Sequence, residues 1–226
     1  HIFHCIQLMY IQEGIYKLSG KRIKHHKLKK AKKRRKSMLK FLNFPEDISL
    51  IYGPPASGKS TLCLQIAANN PGKVIYIDTE NAFNIERVQQ INPLLQLENI
   101  VIIKAKRYSE QTKAIATLKS TKNISLVIID SFTAHYRTKS PEEKKLFINK
   151  SFKKMLSDLK ELKIPIIITS QIYTDFKKQD HPIAEELLKK FSIYTLRLEN
   201  KGKRKIILEE TKIEIPFIIT NQGIEV

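Results

Sequence analysis

From residue 48 onward, short apolar runs rich in isoleucine and valine alternate with longer stretches of mixed polarity. Runs at 48–52, 73–78, 100–103, 124–129 and 165–169 are apolar without strict alternation, as expected for strands buried on both faces. Helices are expected between them, at 61–68, 85–91, 109–121 and 141–162. Asn92-Pro93 closes the second, Ser109 is placed to cap the third, and Pro141-Glu142-Glu143 suits the start of the fourth. Strands alternating with helices imply a mostly parallel twisted sheet flanked by helices. The last third differs. Strands are expected at 193–198, 205–208 and 217–220 without intervening helices, with a hairpin turn at Asn200-Lys201-Gly202. The α/β core therefore runs into antiparallel edge strands.

The loop between the first strand and first helix carries chemistry. Gly53-Pro54-Pro55-Ala56-Ser57-Gly58-Lys59-Ser60, followed by Thr61, fits G-x-x-x-x-G-K-[ST] in a strand–loop–helix setting. Gly53 and Gly58 allow a tight turn that points backbone N–H groups at phosphate oxygens. The new helix adds the positive end of its dipole. Lys59 supplies a point charge for the β- and γ-phosphates, and Ser60 a hydroxyl for Mg²⁺. A triphosphate with Mg²⁺ is the expected ligand.

Charge adds a second theme. The 226 residues hold 41 Lys+Arg and 22 Asp+Glu, net +19. Residues 1–37 carry 12 of the basic residues and one acidic one. This front segment is expected to be a disordered basic arm, or else to precede a native start at Met38. Residues 38–226 form the expected ATPase domain. A polyanion such as nucleic acid is one reading of the charge, and a lysine-rich solvated surface the other. Cys5 and Cys63 give no disulfide framework, and no apolar run reaches the length of a membrane span. A cytoplasmic protein is expected.

Three further positions fit hydrolysis. Asp130 ends a buried strand, where a carboxylate can hold Mg²⁺ through water; a turn aspartate is the plainer reading. Glu80 follows the second strand and can orient and deprotonate an attacking water, or be a surface glutamate. Gln171 follows the fifth strand and can bond the γ-phosphate, or simply cap the strand.

Four ordered blocks carry a family resemblance: 51–60, then 76–81 with Phe83 and Glu86-Arg87, then 127–137, then 168–175. Leu196-Arg197-Leu198-Glu199 with Gly202-Lys203-Arg204-Lys205 continues it. Over about 38–226 the chain resembles the RecA/RadA recombinase superfamily, most of all its archaeal RadB branch. The resemblance implies a RecA-like ATPase fold, with Asp130 as the Walker B acid and Glu80 as the catalytic glutamate beside Lys59. It makes Gln171 the γ-phosphate sensor and puts Arg87 near the adenine. It implies two DNA-binding loops, near 135–143 and 173–182, carrying Tyr136, Arg137, Lys139, Phe176, Lys177 and Lys178. Cations for phosphates with aromatics for bases suit single strands.

Departures from the pattern shape the functional expectation. No phenylalanine begins a Phe-x-x-Ala polymerisation motif, the first loop lacks Gly-Arg-Gly, and Pro182-Ile183-Ala184-Glu185 stands where the second loop would end in Gly-Gly. The expected protein binds ATP and single-stranded or branched DNA, hydrolyses ATP weakly, and assists the main recombinase or other repair proteins. The rival readings are a RecA-like regulatory ATPase or protein-docking module without DNA contact, and a small-molecule kinase. A gel shift with single-stranded oligonucleotide, on protein beginning at Met38, separates the first two.

Overall fold

The computed structural model describes residue 42 and residues 44–136, 148–176 and 179–226, apart from the side chains of Tyr136, Ile148 and Asn149. From residue 44 onward they belong to one compact unit, Phe44–Val226. The basic segment 1–37 lies outside them.

The first strand β1 (Ile48–Tyr52) is buried at every position and leads through the glycine-rich loop into α1 (Lys59–Asn69). Then come β2 (Lys73–Asp78), α2 (Ile85–Ile91), β3 (Ile100–Lys104), α3 (Tyr108–Leu118) and β4 (Ile124–Asp130). A π-turn at Ile148–Phe152 enters α4 (Lys153–Lys160), and β5 (Ile166–Ser170) follows. The part of the expected helix before residue 148 lies outside the described residues. Expected and observed bounds agree closely through β5, because each element there is a local apolar pattern. One cap differs. Helix α3 begins at Tyr108 behind Arg107, whose backbone N–H and Nε both donate to the Glu110 carboxylate, at 3.1 and 2.9 Å, so Ser109 falls inside the first turn.

The C-terminal third departs further. Strands β6 (Ile172–Thr174) and β7 (Asp180–Pro182) form a small antiparallel hairpin directly after β5. A helix not expected from the sequence, α5 (Glu185–Phe191), then precedes β8 (Tyr194–Glu199); from β8 to the last expected strand no helix intervenes, as expected. Its residue before the helix, Ala184, adopts φ 59 and ψ 39, where no side-chain cap announces the start. Strand β8 also runs parallel to β1, inside the sheet. Within that sheet the antiparallel pairings are those of β9 (Lys205–Leu208) with β8 and with β10 (Ile213–Pro216). The expected strand at 217–220 is β11 (Ile218–Thr220), paired with β12 (Gly223–Glu225) in a separate hairpin.

The main sheet has the order β10-β9-β8-β1-β5-β4-β2-β3. Its six neighbouring parallel strands bring their C-terminal ends to one edge. One face packs Ile48, Leu50, Ile77, Val127, Ile129, Ile166 and Ile168 against Ile115, Leu118, Leu156, Leu159 and Leu188 of α3, α4 and α5. The alternate residues, among them Tyr76, Leu126 and Ile128, face the other way. On that side α1 packs against β4, α2 and β12. Among the described residues, no helix is long and apolar enough to cross a membrane.

Helix α1 holds the terminal hairpin through Gln65. This side chain is 1% exposed. Its Nε2 donates to the Ile224 carbonyl at 3.1 Å, and its Oε1 accepts from the Ile224 N–H at 2.7 Å. Gln65→Leu would leave both backbone groups without these partners in a dry interface. The expected loss is about 1–3 kcal/mol of stability, read as a lower denaturant midpoint with faster amide exchange at Ile224. Unchanged exchange there would contradict the clamp.

Candidate functional site

The parallel register decides which residues meet at the C-terminal edge. Tyr52, the last residue before the loop, pairs with Ser170, and Asp78 pairs with Asp130. Strand β5 lies between β1 and β4. The loops bearing Lys59, Gln171, Asp130 and Glu80 therefore emerge side by side from neighbouring strands.

The glycine-rich loop is shaped by close contacts. A Cβ on Gly53 would lie 2.3 Å from the Leu198 carbonyl oxygen, so the strand beside it excludes any side chain. Gly58 has φ +107 and leads into α1, whose first turn carries no acidic residue. That leaves the positive end of the helix available to an anion. Lys59 Nζ donates to the carbonyls of Gly53 and Pro54 at 2.8 and 2.9 Å, so the ammonium lies over the loop. Pro54, Pro55, Ala56 and Ser57 complete the loop, and Ser57 Oγ is buried without a hydrogen-bond partner among the described residues. Ser60 and Thr61 occupy the first turn of α1, both half-buried.

The β8–β9 turn supports the loop from outside, which sequence reasoning missed. Asn200 Nδ2 donates to the Pro55 carbonyl at 2.9 Å, and Arg204 Nη1 to the Ala56 carbonyl at 2.7 Å. Ala56 holds φ 57, a left-handed conformation that costs an alanine about 1–2 kcal/mol. Two donors on adjacent carbonyls help to hold it.

Asp130 is 5% exposed. Its Oδ2 accepts from the Tyr76 hydroxyl at 2.9 Å and its Oδ1 from the Thr169 hydroxyl at 2.6 Å. Burial, and next the charge of Asp130, push the Tyr76 phenol well above its ordinary value, so it stays a donor. These partners are neutral hydroxyls, which leave the aspartate's charge to act on a cation. Mg²⁺ keeps several waters and needs only one or two protein oxygens. The donor chemistry present, the Asp130 carboxylate at the end of β4 and the Ser60 hydroxyl in the first turn of α1, fits the ion, with Ser60 and Asp130 as its candidate holders. Thr169 was legible as the one hydroxyl within an apolar run, and Tyr76 was not.

Glu80 is exposed, at the head of a loop tied at both ends. Gln171 Nε2 donates to Glu80 Oε1. The Gln171 Oε1 is buried and has no hydrogen-bond partner among the described residues, so an amide acceptor remains inside the site. The structure thus brings Glu80 and Gln171 into contact. Arg87 Nη2 donates to the Thr220 carbonyl at 2.5 Å and its Nη1 to the Asn221 carbonyl at 3.0 Å. It ties α2 to the β11–β12 hairpin, which in turn places Ile219 within 3.1 Å of a Cβ built on Gly58.

Of the residues expected to meet DNA, Phe176 is fully exposed at the head of the β6–β7 hairpin. Tyr136 ends a short 3-10 turn. Its side chain, and Arg137, Lys139, Lys177 and Lys178 entirely, lie outside the described residues.

A family model described as Rad51 matches residues 44–225. The chain belongs to the Rad51 family. It is 35% identical to DNA repair and recombination protein RadB of Thermococcus sibiricus, over 79% of this chain and 86% of that one. With the protein of the same name from Methanocaldococcus jannaschii the identity is 36%, over 79% and 92%. The crystal structure of the RadB recombinase superposes with a TM-score of 0.71 at 32% identity, covering 85% of this chain and 96% of that one. As a Rad51-family domain the chain has the RecA-like fold expected of it, and the likeness to the RadB branch holds over most of its length.

The β6–β7 hairpin carries a titrating group. The His181 ring bridges Glu185, through Nδ1 at 2.7 Å, and Asp175, through Nε2 at 3.2 Å. It stacks on Tyr173 with centroids 5.5 Å apart. Burial pulls its pKa down, but the hydrogen bonds to Glu185 and Asp175 outweigh that and raise it above 6.5. The tie is therefore complete below the ordinary histidine value and is lost as pH rises through the raised one. An NMR titration should place the His181 midpoint above 6.5, with Glu185→Gln lowering it. A midpoint at or below 6.5 in the intact protein would contradict the bridge.

Proposed function

We propose that this protein is a RadB-type ATP-binding and DNA-binding accessory of DNA repair and homologous recombination, acting in the cytoplasm with the main recombinase or other repair proteins. Its ATP hydrolysis is weak, and it performs little or no strand exchange. The observation that carries this reading is the convergence of Lys59, Asp130, Glu80 and Gln171 on adjacent parallel strand ends, in a chain matched by the Rad51 family model.

The residues divide the work by their chemistry. The 53–58 loop, Lys59 and the end of α1 bind the phosphates. Ser60 and Asp130 would hold Mg²⁺, which, when bound, neutralises phosphate charge and orients the terminal phosphoryl group. Glu80 orients a water and takes its proton as the water oxygen bonds to the γ-phosphorus and the bond to the β–γ bridging oxygen breaks. ADP and phosphate leave. Gln171 Nε2 occupies Glu80 Oε1, so the carboxylate must part from that amide before it takes up a water, an added step that supports slow turnover. Gln171 also connects the site to the hairpin that follows it, since its carbonyl accepts from Ile183 N–H at 3.0 Å. ATP thus serves mainly as a conformational ligand of that hairpin, where exposed Tyr173 and Phe176 suit base stacking.

Two measurements test this. Lys59→Ala should abolish ATP binding in equilibrium dialysis, and undiminished binding would refute the assigned loop. Affinity for a single-stranded oligonucleotide should fall with salt, with a log–log slope of about −0.7 per phosphate contacted. A flat plot would remove the phosphate contacts and favour a regulatory ATPase that does not touch DNA.

A further inference from the structure

Thr79 stands between the last rung of the β2–β4 ladder and Glu80. It is 7% exposed. Its backbone N–H donates to the Asp130 carbonyl at 3.0 Å, extending the ladder one step past the Asp78–Asp130 pair. Its hydroxyl then does what a backbone amide would do at the next step. Thr79 Oγ1 donates to the Ser131 carbonyl at 2.8 Å and accepts from the Ser131 N–H at 2.8 Å. One side chain satisfies both polar groups of one residue on the neighbouring strand end.

The other side of the Glu80 loop is fixed by Asp78. Its Oδ1 accepts from Ala82 N–H and its Oδ2 from Phe83 N–H, both at 3.0 Å. Glu80 therefore sits at the apex of a loop pinned before it by a hydroxyl and after it by a carboxylate. The hydroxyl ties it to the residue directly after Asp130. A further hydroxyl series runs from there: Ser131 Oγ lies 3.5 Å from Thr133 Oγ1, which lies 3.2 Å from Ser170 Oγ, next to Gln171.

We propose that Thr79 is a positioning residue for hydrolysis, its hydroxyl holding Glu80 in register with the Asp130 strand end through both backbone groups of Ser131. This rests on the functional reading above, in which Glu80 acts on the attacking water. Thr79 has no place in binding ATP, because its bonds are all to the β4 end. Removing its hydroxyl leaves the phosphate loop intact and lets the Glu80 carboxylate drift. A misplacement on the order of 1 Å can cost up to about 100-fold in rate.

The test compares full-length wild type, Glu80→Gln, Thr79→Val and Thr79→Ser by single-turnover ATP hydrolysis and by equilibrium dialysis. Glu80→Gln should slow hydrolysis about 100-fold while still binding ATP, which fixes the scale for loss of the base. Thr79→Val should bind ATP within about twofold of wild type and hydrolyse it about tenfold more slowly, an intermediate loss. Thr79→Ser, which keeps the hydroxyl, should recover most of the rate. The inference is overturned if Thr79→Val hydrolyses at the wild-type rate, if Thr79→Ser is as slow as Thr79→Val, or if ATP affinity falls along with rate. Should Thr79→Val fail to fold, the pair Thr79→Ser and Thr79→Ala differ by the hydroxyl alone and make the same comparison. If wild type releases no phosphate, or Glu80→Gln is unimpaired, the functional reading itself fails, and the inference with it.

Discussion

Strand β1 pairs in parallel with β5, which pairs in parallel with β4, and β4 with β2. Everything at the candidate site depends on that run of parallel pairings. Parallel strands place all their C-terminal ends on one edge, so chemistry scattered from residue 53 to residue 171 arrives within one small region. The register is held by burial. Strands β1 and β5 are enclosed at every position, mostly by branched aliphatic side chains. A slip of one residue would exchange the faces of Ile48, Leu50, Ile166 and Ile168 against their helices, and would shift Ser170 away from Tyr52. The site is precise because the core beneath it has no acceptable alternative packing.

Above that core lies a polar layer with a consistent character. Thr79, Ser131, Thr133, Thr169 and Ser170 are all buried at the strand ends, together with the hydroxyl of Tyr76. Neutral hydroxyls can donate and accept at once, so they satisfy one another and the ends of the ladder without adding charge. This suits a site where Asp130 must remain the local negative charge. A lysine or arginine on its oxygens would cancel the charge that a cation is to find, whereas Tyr76 and Thr169 orient the carboxylate and leave its sign intact. The cost of burying a polar atom is offset pair by pair.

What could be read from the sequence followed how local each cause is. The boundaries of β1, β2, β4 and α2 were legible because a buried strand or a short amphipathic turn shows within a few residues. The phosphate loop was legible because its glycines and lysine sit at fixed spacing. Helix α5 escaped because it is short and starts after Ala184, which carries no capping side chain. The place of β8 escaped because pairing with β1 joins residues far apart in the chain, and nothing in the run 194–199 marks a parallel partner. Gln65 read as one polar residue on a helix, yet it is the buried clamp of the terminal hairpin. The carbonyls of Thr220 and Asn221 that Arg87 meets depend on how the last residues fold back. Tertiary placement decided each of these, and it leaves no local trace.

In the proposed function, the β6–β7 hairpin is the element on which nucleotide would act. Its strands are closed by the Thr174–Asp180 and Gln179–Asp175 hydrogen bonds and by the His181 bridge. Such a segment has already met part of the ordering cost that a flexible loop meets only on binding. Switching it by folding and unfolding would mean breaking these ties, whereas tilting it at its base requires only that Gln171 change partner. Gln171 is one residue from the hairpin and already bonded to Glu80. The γ-phosphate and Glu80 would compete for the same amide, so occupancy of the phosphate site would both free the carboxylate and re-aim Tyr173 and Phe176. Under the proposed function, Gln171 at the root of the hairpin is the side chain through which nucleotide would be coupled to the exposed Tyr173 and Phe176.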